Sequence, residues 1–337
     1  MPTRQKKAVR AKADTSKNAA MNRARNARKD EFYTQLSDIE KETRHYRDHF
    51  RGKTVLCNCD DPYASQFFVH FFRKFSAYGL KKLVSVCYRN CEPDLFSQNA
   101  SDHSIMLEYS GGADESRDPT KDEIAKWVRP LKGDGDFRSE ECVEILKAAD
   151  IVVTNPPFSL FREFIAMLVK HDKKFLVIGQ HNAIHYAEIF PLFKQGRIWL
   201  GNHYGDMEFR VPSYYEPRAT RYREDERGNK WRSLGNACWF TNLDFESRHE
   251  ELTLWREYSQ DDFPKYDNYD AIEVGHVSDI PCDYDGVMGV PITIMGKLCP
   301  EQFEILGTST SDMPKGAPYL QGKRIYERIL IRRKRMK

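Results

Sequence analysis

The run Ile151-Val152-Val153-Thr154, with the Asn155-Pro156-Pro157-Phe158 that follows it, constrains this chain more than any other segment. Four β-branched residues, apolar but for the last, suit a strand buried on both faces of a parallel sheet. The two prolines fix φ and remove the donors that further pairing needs, so the strand ends at the motif. Proline also steers the residue before it into extended geometry, which projects Asn155 from the strand tip. In open α/β sheets that edge is where ligands bind. An amide oxygen, an unpaired Pro156 carbonyl and the Phe158 ring would meet there, a set that suits a flat, amino-bearing ring such as adenine. Asn-Pro also begins ordinary turns, and Phe158 could be a core residue at a helix start. The neighbouring segments decide between these readings.

Strands are predicted at 54–57, 83–87, 105–107, 151–154, 175–178, 198–200 and 238–240. A polar helical stretch should run from Asp30 to about Phe50. Asp61 and Pro62 are predicted as N-cap and first residue of an aromatic helix closed by Gly79. Ser139, with Glu140 and Glu141 in the first turn, should open another, and a third follows the motif through Met167. Strands alternating with helices imply a doubly wound, mostly parallel, seven-stranded Rossmann-like sheet. After residue 202 the texture changes to segments rich in Tyr, Arg and Pro, then in Tyr, Asp and Gly, which reads as insertions or a smaller region.

A chain of 337 residues with 40% hydrophobic and 12% aromatic content can bury a full core. No apolar stretch approaches the roughly 20 residues that cross a bilayer, and the basic amino terminus lacks an apolar signal core. The protein is expected in the cytoplasm, with no membrane contact. None of the eight cysteines forms a C-x₂-C pair, so buried thiols are expected and no metal. The net charge of +3 hides an asymmetry: residues 1–29 carry +9 and residues 321–337 carry +7, leaving −13 for 30–320. Such ends are expected to be disordered in isolation and to gain counterion-release free energy on a polyanion.

Other segments should reach the same sheet edge. The first strand runs into Asn58-Cys59-Asp60-Asp61-Pro62, where nucleotide-like cofactors sit in such sheets. Gly133-Asp134-Gly135-Asp136-Phe137 precedes the helix leading to the motif strand. With Asp30-Glu31-Phe32-Tyr33-Thr34-Gln35, these segments resemble the EcoRI-type adenine-specific DNA methyltransferases. The stretches Tyr266 to Ile272 and Gly289 to Thr293 strengthen the resemblance, which covers roughly residues 30–310.

The resemblance implies S-adenosylmethionine as methyl donor, no metal, and N6 of an adenine in double-stranded DNA as acceptor. Phe32, Tyr33 and Thr34 would touch the methionyl end of the donor. Asn58, Asp60, Asp61 and Pro62 would line its pocket, and Asp136 with Phe137 would contact its adenine. Ala64 and Ser65 stand where a glycine-rich turn is usual, and Glu92 is the acidic residue nearest the second strand for the donor ribose. Asn155, Pro156, Pro157 and Phe158 would form the catalytic motif. The expected order is a basic arm (1–29), a donor-binding and catalytic domain (30–202), a target-recognition region with the remaining sheet elements (203–310) and a basic tail (311–337). Arg218, Arg221, Arg223, Lys230 and Arg232 are the candidate DNA contacts. A cognate restriction endonuclease could share the system without touching this chain.

Other chemistries remain open on the residues alone. Cytosine-C5 transfer needs a nucleophilic cysteine, and the one Pro-Cys, Pro281-Cys282, is followed by Asp283 and lies far from the motif in sequence. Cytosine N4, an RNA base amino group, or a catalytically silent DNA-binding module with this fold are the alternatives.

Overall fold

A computed structural model describes residues 32–63, 65–87, 104–205, 207–211, 213 and 215–334. The arm at 1–29, Asp30, Glu31, Ala64 and Glu92 lie outside the described residues. Strands β1 (Thr54–Asn58), β2 (Lys82–Cys87), β3 (Ile105–Tyr109), β4 (Val128–Pro130) and β5 (Ile151–Thr154) come first, then β6 (Lys174–Gln180) and β7 (Trp199–Gly205). Next are β8 (Glu208–Val211), β9 (Tyr222–Glu224), β10 (Lys230–Ser233) and β11 (Ala237–Thr241). The remainder are β12 (Lys265–Tyr266), β13 (Tyr269–Glu273), β14 (Met288–Val290), β15 (Phe303–Thr308), β16 (Tyr319–Leu320), β17 (Lys323–Arg324) and β18 (Ile329–Arg333). The largest sheet has eight strands in the order β4-β3-β2-β1-β5-β6-β11-β7.

All seven predicted strands form, and β4 is an eighth. The sheet is mixed, which corrects the mostly parallel expectation. β1 pairs parallel with β2 and β5, but β2 with β3, β3 with β4, and β11 with both β6 and β7 pair antiparallel. An apolar run records burial and is blind to direction, so in the sequence direction rests on the alternation with helices alone. β11 is reached through β8–β10 and not through a helical crossover, which leaves it free to pair antiparallel.

The chain forms two compact units that interleave along the sequence. One draws on the segments Met1–Ile39, Arg51–Lys173 and Asp206–Gly235. Its central strands β1 and β5 are buried, as expected for strands covered on both faces. Helix α1 (Gln66–Arg73) packs on β2 and α2 (Lys121–Trp127) on β3. Phe72, Phe75, Tyr109 and Trp127 meet with ring centroids 4.7–5.7 Å apart. Phe72, Phe75 and Tyr109 are buried and Trp127 partly so, and fully burying a side chain such as phenylalanine contributes roughly 1.5–3 kcal/mol. The N-cap of α1 is Ser65, whose Oγ accepts from Phe67 N at 3.0 Å, and not Asp61. The serine places its hydroxyl two residues before that donor, whereas Asp61 closes a turn of its own on Tyr63 N at 2.9 Å. Ser139 caps α3 (Glu140–Ala148) as predicted, and α4 (Phe161–Lys170) follows the motif after a short 3₁₀ turn, Phe158–Leu160. The same unit holds a three-stranded antiparallel sheet, β8-β10-β9.

The other unit draws on Glu40–Phe50, Lys174–Gly205 and Asn236–Lys337. It includes a five-stranded sheet, β12-β13-β14-β18-β15. The described part of the basic tail is therefore not a disordered arm. Ile329, Leu330 and Ile331 are fully buried in β18, which pairs with both β14 and β15. Three consecutive apolar residues inside a cationic tail outweigh its charge, and Arg328 meets Glu273 at 2.5 Å while Arg332 meets Glu304 at 2.7 Å. In this unit Glu42 accepts from Tyr46 Oη and from the amides of Asn202 and His203, all at 2.8 Å. Burial still pushes its carboxyl up to about 7. Among the described residues no helix is long and apolar enough to cross a membrane.

Candidate active site at the carboxyl ends of β1 and β5

β1 and β5 are parallel neighbours, so their carboxyl ends deliver residues 58–62 and 155–158 to one place. Thr154 Oγ1 donates to the Asn58 carbonyl and locks the two tips together. Beyond β1 the chain turns at Cys59, whose φ of 62° lies in the left-handed region. Asn58 Oδ1 accepts from Cys59 N at 3.0 Å, and Ser85 Oγ donates to the Asp60 carbonyl at 2.8 Å. A non-glycine residue in this region stores strain of about 1–3 kcal/mol, held here by the flanking hydrogen bonds. No glycine signals the turn in the sequence.

Asp60 is buried, and its Oδ2 has no partner among the described residues. Burial pushes its carboxyl up to about 8, against a hydrogen bond from Ser65. Asp61 is likewise raised by burial, against the bond from Tyr63 N. Pro62 is buried beside them. The 133–137 loop reaches the same turn, since Asp136 acts electrostatically on Cys59. Asp136 itself is engaged: Arg138 bonds both its oxygens, at 2.9 and 2.6 Å, and holds its carboxyl below the usual range. Phe137 is 3% exposed and packs edge-on against Phe164.

Residues 32–34 arrive from β8. Tyr33 N donates to Arg210 O at 2.8 Å and Arg210 N to Tyr33 O at 3.0 Å, an antiparallel bridge. Gln35 Nε2 adds a bond to Glu208 O at 2.9 Å. Asn155 Nδ2 then donates to Phe32 O at 2.7 Å and to Thr34 Oγ1 at 3.3 Å. A main-chain carbonyl can only accept, so the amide nitrogen must face it, and Oδ1 is the atom turned away. That Oδ1 is buried and has no partner among the described residues. No described donor bonds the Pro156 carbonyl either, whereas Pro157 O accepts from Leu160 N at 2.9 Å. The Phe158 ring stacks on Phe32, centroids 5.4 Å apart and planes 28° apart. Phe209 and Tyr215 meet Phe32 edge-on.

The corner thus gathers a short amide with a free acceptor, a carbonyl, an aromatic face and an acidic turn able to meet a cation. A family model described as adenine-specific methyltransferase EcoRI matches residues 20–334. The chain belongs to that family. This methyltransferase is 46% identical to the Type II methyltransferase M.EcoRI of Escherichia coli over 332 residues, 96% of this chain and 99% of that one. It is 37% identical to the Type II methyltransferase M.MpnI of Mycoplasma pneumoniae, over 93% of this chain and 98% of the other. No solved structure matches it.

The candidate DNA contacts lie on or beside the β8-β10-β9 sheet, and four of the five have partners in it or in the segments flanking its strands. Arg223 bonds Glu208 twice, at 2.8 and 2.6 Å, and lies over the Trp231 ring. Arg221 donates to Leu234 O at 3.0 Å, Lys230 to the carbonyls of Ser213 and Tyr215, and Arg232 to Thr220 O. Arg218 is exposed. Sequence reasoning overlooked Cys59, Arg138 and the aromatic neighbours Phe209 and Tyr215. Only the last two carry a signal, as large apolar residues beside a polar, arginine-rich stretch.

Proposed function

We propose that this methyltransferase moves a methyl group from S-adenosylmethionine to N6 of an adenine flipped out of double-stranded DNA. Asn155 Oδ1, a buried acceptor with no partner, is the observation that carries the reading. Adenine N6 is a poor nucleophile because its lone pair is delocalised into the ring. Two acceptors, Asn155 Oδ1 and the Pro156 carbonyl, would take its two hydrogens and favour a pyramidal nitrogen whose lone pair faces the donor. Pro157 holds the turn, and Phe158 offers a face to the base, with Phe32 packed on the opposite face. Stacking of this kind contributes about 1–3 kcal/mol per base. Extrusion is required because the amino group is paired inside a duplex. Catalysis is then positioning and hydrogen bonding, without a covalent enzyme intermediate.

S-adenosylmethionine supplies an electrophilic methyl group on a sulfonium. The unpaired Asp60 Oδ2 fits the ammonium of its methionyl end, and burial makes such a charge partner worth having. Tyr33, Asn58, Asp61 and Pro62 would complete that wall, and Asp136 with Phe137 would meet the adenine of the donor. Target recognition is assigned to residues 203–310, in a Type II modification system whose endonuclease acts separately. Asn155→Ala tests the reading: methyl transfer to DNA should be abolished while calorimetry shows donor binding retained. Full activity in that variant would overturn it.

A further inference from the structure

We propose that Thr34 is a positioning residue, whose hydroxyl, with the Phe32 carbonyl, fixes which way the Asn155 amide points. The inference rests on the reading of Asn155 Oδ1 as the acceptor for the target amino group, and it gives Thr34 a task other than touching the donor. A terminal amide turns about a broad torsion, and its two ends differ little in size. Turned over, Asn155 would present NH₂ to an incoming amino group, donor against donor, and the site would repel its substrate. Something must hold the nitrogen end away.

The pairing of the 32–35 segment supplies that hold. In a hydrogen-bonded antiparallel pair the N–H and C=O of one residue face the partner strand, and those of its neighbours face away. Tyr33 exchanges both its main-chain bonds with Arg210, so the Phe32 carbonyl points away from β8, and it meets Asn155 Nδ2 at 2.7 Å. Side chains alternate along the same extended segment. Gln35 reaches β8, bonding the Glu208 carbonyl, while Thr34 is 5% exposed and its Oγ1 lies 3.3 Å from Nδ2. Both hydrogens of the amide nitrogen are therefore assigned to acceptors that belong to one clamped segment. Of the two, only the hydroxyl can be removed by substitution.

Three proteins test this: wild type, Thr34→Val, which keeps the shape and loses the acceptor, and Thr34→Ser, which keeps the acceptor and loses the methyl group. Each is assayed for single-turnover methyl transfer to genomic DNA at saturating S-adenosylmethionine, and for donor affinity by calorimetry. Thr34→Val should slow transfer about five- to tenfold with donor affinity unchanged, and Thr34→Ser should restore most of the rate. A Val variant as fast as wild type, a Ser variant as slow as Val, or weakened donor binding with an unchanged saturated rate would each overturn the inference. Wild type that transfers nothing would instead overturn the methyltransferase reading beneath it. A measurement that leaves Thr34 intact uses wild type with ¹⁵N-labelled asparagine, the Asn155 signal being identified by its loss in Asn155→Ala. Its side-chain NH₂ should exchange with solvent slowly, and rapid exchange would contradict the clamp.

Discussion

Two regions of the first unit differ in how their carboxylates, amides and guanidinium groups are met. At the tips of β1 and β5, Asp60 Oδ2 and Asn155 Oδ1 are buried without partners. In the neighbouring β8-β10-β9 sheet Tyr222 Oη and Arg232 Nε are also buried without a partner among the described residues, but there the unmet Arg232 atom is a donor, and the charged groups are engaged nearby: Arg223 with Glu208, Asp225 with Trp231 and Asn229, Lys230 and Arg232 with carbonyls. A buried polar atom left unpaired costs about 1–3 kcal/mol, so folding alone does not favour the first arrangement. On the proposed function the unmet acceptors are where ligand atoms belong, and the engaged arginines shape a scaffold. Charge alone would have ranked the two regions the other way.

The contrast can be broken first at Asp60. If its unpaired oxygen meets the donor ammonium, Asp60→Ala should weaken S-adenosylmethionine binding about ten- to a hundredfold at pH 8, by calorimetry, in line with hydrogen bonds between charged groups. An unchanged affinity would mean that Asp60 is merely a buried acid.

The pH dependence is smaller and its sign follows from the direction of the shift. Burial raises the carboxyl of Asp60 from 3.8 to about 8. Between those values the unfolded chain is ionised and the folded one holds a proton, so the donor-free protein loses stability as pH rises through that window. Asp60→Asn should remove that slope, as read from melting temperature against pH. Donor affinity should run the opposite way, rising up to tenfold per pH unit toward pH 8 and flattening above it, because only the ionised carboxylate attracts the ammonium.

The smallest effect is expected in the β8-β10-β9 sheet. Glu208→Gln leaves the Arg223 guanidinium over Trp231 but removes its ion pair, half exposed at 51% and 30%. Stability should change by less than about 1 kcal/mol, and donor binding not at all. If that variant instead tightens DNA binding in a low-salt titration, Arg223 is a phosphate ligand held back by Glu208, and the contrast between the two regions weakens.

The strongest features of the site were legible in sequence because their chemistry is local. Isoleucine and valine before Asn-Pro-Pro fixed the β5 tip, and Ser139 before two glutamates fixed a helix start. What was not legible depended on long-range pairing or on strain. Nothing local tells that β3 and β11 run antiparallel, since burial patterns are the same either way. Cys59 at φ 62° takes a conformation for which glycine is the usual signal, and besides the adjacent Asn58 Oδ1 the turn is stabilised by the Ser85 hydroxyl and the Val86 carbonyl, both brought in by folding. The tail misled for a related reason: eight cations concealed Ile329-Leu330-Ile331, whose partners β14 and β15 lie up to about 40 residues earlier. The orientation of the Asn155 amide, on which the chemistry turns, rests on a segment more than a hundred residues away.

The central claim is that this corner methylates adenine at N6, and base mapping tests it most directly. Unmethylated genomic DNA would be incubated with the protein and S-adenosylmethionine and read by single-molecule sequencing. N6-methyladenine should appear at one recurring sequence with wild type and be absent with Asn155→Ala. Methylation at cytosine N4, methylation surviving in the Asn155 variant, or none with wild type would contradict the claim.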